Sequence, residues 1–82
     1  MDERDDVRIK HMLDSCLAIV SFIEGKTREH LDVDRLLNSG IVREFEILGE
    51  AAAAVTQNTK EQLPGIPWKQ LVEMRNRLIH AL

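Results

Sequence analysis

The 82-residue chain has one cysteine, Cys16, so no internal disulfide can staple it. No apolar run approaches the roughly 18 residues of a membrane span, and the opening MDERDDVRIK is acidic, with no apolar core of the secretory kind. A cytoplasmic protein with no membrane segment is therefore expected. Glycines 25, 40, 49 and 65 are scattered, so no glycine loop can cradle a phosphate, and no G-x-S-x-G nucleophile signature occurs. No Cys or His pair has zinc-ligand spacing, and there is no Asp-rich calcium loop. Neither a cofactor nor a metal site is expected. An excess of positive charge is missing too: the formal net charge is -3, which argues against a general polyanion binder.

The charge that is present is unevenly placed. Residues 1–59 hold 7 Lys and Arg against 12 Asp and Glu, and residues 60–82 hold 4 against 2. That asymmetry is compatible with one local phosphate site on an acidic body. Residues 1–82 make one domain at most, and a chain this short buries only about 60% of its unfolded surface, so help from a partner is plausible from the start.

Along the chain the periodicity is helical and no strand pattern appears. Ile9, Met12, Leu13, Cys16, Leu17, Val20 and Ile23 recur at three- and four-residue spacing, predicting a helix from about residue 4 to Glu24, with Gly25 as its stop. A second run begins near Asp32 and passes through Leu37, Ile41, Phe45, Leu48, Ala52 and Val55. Within it, Gly49 to Val55 offers a smooth surface for close packing against another helix. Thr59 and Gln62 have capping-box spacing for a brief turn that Pro64 and Gly65 end. Pro67 fits the first position of a last helix, with Trp68 as an apolar anchor. Three long helices with short connections predict an all-α antiparallel bundle. The apolar arc of the last helix, Leu71 to Leu82, is wide enough for two neighbours, which points to a C2 homodimer.

Most candidate reactive residues have plain structural readings. Cys16 reads as a buried thiol, His11 and His30 as solvated, the acidic N-terminal run as a solvated helix start, and alanines 51–54 as packing. The exception is the terminal MRNRLIHAL. Arg75 points into the apolar arc, where a guanidinium is costly to bury unless paired. Asn76 and His80 share a face, as do Arg77 and His80, but Arg75 and His80 are about 140° apart on an ideal helix. From spacing alone, Arg75 pairs with a buried carboxylate such as Glu50. If Arg75 and His80 act on one phosphate, the helix loosens near His80 or two copies meet.

The segment from Gly49 to the end resembles the second half of the HepT-like branch of the HEPN superfamily. The resemblance rests on Gly49-Glu50-Ala51, on Ile66-Pro67-Trp68 and on the Arg-Asn-x-x-x-His of Arg75, Asn76 and His80, and the earlier helices follow the same layout. It implies an α-helical homodimer whose motifs meet near the interface as a metal-independent endoribonuclease, the toxin of a toxin–antitoxin pair. Arg75 and His80 become the catalytic pair and Asn76 the polar residue beside them. The implied antitoxin is a nucleotidyltransferase of the MntA kind, which modifies a tyrosine in the family's His-x-Tyr; that position here is Leu82. Family members also continue into a further C-terminal segment and helix, so a C-terminally short domain is expected. Two other readings are a non-catalytic helical dimerisation or regulatory module and a nucleotide-binding HEPN domain.

Overall fold

Asp2 opens the first helix. Its carboxylate accepts from the Arg4 amide at 2.7 Å, satisfying a donor that the first turn leaves free, and Glu3, Asp5 and Asp6 place negative charge at the helix's positive end. In the computed structural model, which describes residues 2–80, this helix, α1, spans Glu3–Ile23. Gly25 stops it in the left-handed region at φ +71°, where a side chain would be strained.

The second periodic run falls on one helix, and the connection ahead of it is itself helical. A six-residue helix, α2 (Arg28–Val33), is closed by reciprocal bonds: the His30 amide donates to the Thr27 hydroxyl, and the Thr27 amide donates to His30 Nδ1. The long helix α3 (Arg35–Ala54) then starts afresh, its Leu37 amide bonded to the Asp34 carboxylate at 2.9 Å. The Asn38 side-chain amide donates back to the Leu31 carbonyl and ties the two together. A short α4 (Gln57–Gln62) and a last helix, α5 (Trp68–His80), follow. Pro67 lies one residue before α5, its carbonyl accepting the first helical bond from Leu71 at 3.1 Å. The Thr59–Gln62 capping box does not form, because Thr59 sits inside α4 with its hydroxyl committed elsewhere.

Among the described residues the architecture is all-α, five helices and no strand. Contacts of α1 with α3 and the residues just after it run in opposite directions along the sequence: Asp5 with Thr56, two residues past the end of α3, Ser15 with Glu44, Phe22 over Gly40. The pair is therefore antiparallel. α3 is the central helix, with α1 on one flank and α5 on the other. Met12, Leu48, Ala52 and Val55 form the buried core, closed by Ile9, Phe45, Ile66, Trp68 and Leu71.

Two further expectations need correcting. Cys16 is exposed rather than packed, because α1 turns Met12, Ser15 and Ile19 inward and leaves Leu13, Leu17 and Val20 more than half exposed. The acidic N-terminal run is not wholly solvated, for Asp5 is completely buried. In α5, Leu71, Met74 and Leu78 are half-buried. Ala81, placed on the α5 arc, and Leu82, the counterpart of the family's tyrosine, lie outside the described residues. No described helix is long and apolar enough to cross a membrane.

Candidate active site

Arg75 sits where α5 crosses α3 most closely. Gly49 makes that crossing possible. A Cβ at position 49 would overlap the Arg75 Cβ and lie 2.9 Å from both the Arg75 Cγ and the Leu71 carbonyl oxygen. The arginine's aliphatic stem thus occupies the space that any side chain on α3 would take. Its direction is fixed by two packed backbones.

Among the described residues the guanidinium has no anionic partner. Its Nε is buried without a hydrogen-bond acceptor, and among the described residues no carboxylate forms an ion pair with it. A buried donor left unmade is expensive, on the order of 1–3 kcal/mol. The pairing with Glu50 does not occur: Glu50 is half-exposed and faces Arg43 Nη1 at 3.8 Å, with Glu46 on the same arginine at 3.6 Å. Arg75 therefore presents an unneutralised, rigidly mounted positive fork, the geometry that matches a phosphate or carboxylate.

Asn76, Arg77 and His80 are exposed on the outer side of α5. No side-chain hydrogen bond joins Arg75, Asn76 and His80 to one another among the described residues. The helix is regular from Trp68 through His80, so it does not loosen to bring Arg75 and His80 onto one side. One chain supplies a fixed cation and, more than a turn further on, an imidazole open to solvent. Nor do three or more His, Cys, Asp or Glu side chains gather as metal ligands among the described residues.

The periodicity of α5 singled out Arg75 but not what anchors it. Gly49 was legible as a site of close helix approach; that Arg75 fills the gap was not, since nothing in the sequence links positions 49 and 75.

The chain matches the family model described as "Ribonuclease HepT-like" over residues 12–81. It is similar to "Putative RNase TTE0752" of Caldanaerobacter subterraneus subsp. tengcongensis, with 32% identity across 88% of this chain and 64% of that protein. It is also similar to "Gamma-glutamylcyclotransferase and putative RNase MJ0434" of Methanocaldococcus jannaschii, 35% identical across 93% of this chain and 35% of the relative. "Probable ribonuclease HepT" of Thermococcus cleftensis is 34% identical across 88% of this chain and 69% of its own length. The chain thus spans less than two thirds of the first two of these curated relatives. No solved structure matches it.

Proposed function

We propose that this chain, which belongs to the ribonuclease HepT-like family, cleaves RNA without a metal ion, using Arg75 and His80 as its catalytic pair. The observation that carries the reading is the unpaired Arg75 guanidinium, clamped by its stem at Gly49. A fixed cation of this kind stabilises the negative charge that grows on phosphoryl oxygens during attack. His80, whose exposed side chain makes no hydrogen bond among the described residues, removes the proton of an RNA 2'-hydroxyl as that oxygen attacks the adjacent phosphate. The P–O5' bond breaks, the 5'-oxygen takes up a proton, and a 2',3'-cyclic phosphate remains. Asn76, beside Arg75 and on the face of His80, orients the phosphate through its amide. DNA is refused because it lacks the attacking hydroxyl.

Since α5 keeps Arg75 and His80 about 140° apart, one phosphate meets both only if two copies contribute. The active form is therefore a homodimer in which Arg75 of one copy faces His80 of the other. In the cell this activity is that of a cytoplasmic toxin held in check by a nucleotidyltransferase-type antitoxin of the MntA kind. With Leu82 at the family's tyrosine position, that antitoxin restrains this chain by binding rather than by modifying it there.

The test is RNA cleavage in EDTA. Wild-type protein is expected to cut; His80→Ala, and Arg75→Lys with its stem still on Gly49, are expected to lose roughly 10²-fold or more in rate. Intact RNA with correctly folded wild-type protein would leave the second reading, a helical module without catalysis.

A further inference from the structure

Trp68 does more than anchor α5. One edge of the indole packs on the core, and its Nε1 donates to the Leu63 carbonyl at 3.0 Å, which holds the ring in a fixed plane. The residue is only partly buried. It forms, with Val72, the floor of a surface groove of about 420 Å³ between α4 and α5. Lys60 and Lys69 stand on the groove's walls, with Lys60 Nζ 5.8 Å from the ring centroid, close to the outer limit for a cation–π contact. Two carboxylates also line it, and one of them, Glu73, reaches Lys69 only at 3.9 Å in an exposed and weak pair.

A fixed, partly exposed aromatic ring bordered by lysines is the arrangement by which proteins hold single-stranded nucleic acid: the ring stacks a base and the cations follow the backbone. The groove's position suits a substrate of the candidate site. Trp68 and Arg75 are seven residues apart on one regular helix, so they lie about 10 Å apart along its axis and on nearly the same side. A strand with one base on Trp68 can place a phosphate a few nucleotides away at Arg75.

We propose that the Trp68–Lys60–Lys69 groove is a base-stacking subsite for single-stranded RNA, which positions the strand for cleavage at Arg75 and His80. This rests on the ribonuclease reading. In the bound state a base stacks on the indole, Lys60 leaves the ring for the strand's phosphate, and Lys69 exchanges Glu73 for the next phosphate. No base edge is read, so the subsite favours unpaired strands over duplex and is tolerant of sequence.

Trp68 is the only tryptophan and the chain has no tyrosine, so intrinsic fluorescence reports this groove alone. The probe is a 2'-O-methyl oligoadenylate decamer, which cannot be cleaved by 2'-hydroxyl attack, titrated against the wild-type chain, with anisotropy of a labelled decamer read in parallel. The expected result is saturable quenching that coincides with the anisotropy change and weakens as salt rises. Trp68→Phe, which keeps an aromatic packing surface, should weaken binding about fivefold or more, and Lys60→Ala with Lys69→Ala should do so with the fold intact by circular dichroism. Binding without any change in fluorescence, or with affinity unchanged in the lysine variant, would overturn the subsite. So would an absence of binding. RNA cleavage measured separately then decides whether the ribonuclease reading falls with it or stands alone.

Discussion

Single residues carry two decisions in this protein. Asp5 is fully buried at the start of α1, yet it is not left unsatisfied. It accepts from the Thr56 hydroxyl at 2.5 Å, the Thr59 hydroxyl at 2.6 Å, the Thr56 amide at 3.1 Å and Arg8 Nη1 at 3.1 Å. These bonds, the two threonine hydroxyls first, hold its carboxyl well below the usual carboxylate range. A depressed folded-state value means that Asp5 adds stability above its unfolded value near 3.8, and this is lost as pH falls further toward the folded one. Asp5→Asn should therefore lower Tm on the order of 10 °C at pH 7 and flatten the acid limb of a Tm-against-pH curve below about pH 4. An acid limb identical to wild type would refute the clamp. The threonine clamp was not legible in the sequence, where Asp5 is one of four acidic residues in a polar run and Thr56 and Thr59 lie more than 50 positions away. Arg75 is the opposite case. Helical periodicity alone identified it as a misplaced charge, and the structure adds that Glu50 is not its partner.

Among the elements, α3 shows how glycine position decides packing. Gly40 and Gly49 look alike in the sequence, each costing the helix about 1 kcal/mol relative to alanine. Their surroundings differ. At position 40 a Cβ would meet only the Phe22 ring at 3.5 Å, an ordinary contact, so Gly40→Ala should stabilise by up to about 1 kcal/mol. At position 49 it would meet the α5 backbone and the Arg75 stem, so Gly49→Ala should force the helices apart. The strain of about 1–3 kcal/mol outweighs the gain in helix propensity, and the same displacement should reduce RNA cleavage. Thermal melts of the two variants should move in opposite directions. The long helices were readable because their apolar residues repeat at 3.6-residue spacing; α2 was not, because none of its six residues is buried and it carries no apolar stripe. The inward face of α1 was also misjudged. Leu13, Leu17 and Val20 share the stripe's spacing, but α3 is too narrow to cover all of it, and burial settles on Met12, Ser15 and Ile19.

At the scale of the whole molecule, one long helix stands between two others, with a wholly apolar cleft of about 460 Å³ open between α1 and α5. Leu48 forms its floor, with Leu13 and Leu71 on opposite sides. The helical class and antiparallel order follow from short connections between amphipathic runs, which is why they were readable before any coordinates. How copies associate is decided by surfaces that have no periodic signature. The proposed dimer makes two predictions. Light scattering should give about twice the 9.4 kDa chain mass at micromolar concentration, and monomer throughout would contradict it. Mixing Arg75→Lys chains with His80→Ala chains should restore part of the lost cleavage, because a mixed dimer regains one site with an intact Arg75 and an intact His80; no recovery would place both groups in one chain. The central claim, metal-independent cleavage by 2'-hydroxyl attack at Arg75 and His80, is tested most directly by the ends of the RNA fragments. Wild-type protein in EDTA should leave 2',3'-cyclic phosphates, formed roughly 10²-fold or more slowly by His80→Ala. Fragments ending in 3'-hydroxyls, or cyclic ends at an undiminished rate from His80→Ala, would contradict it.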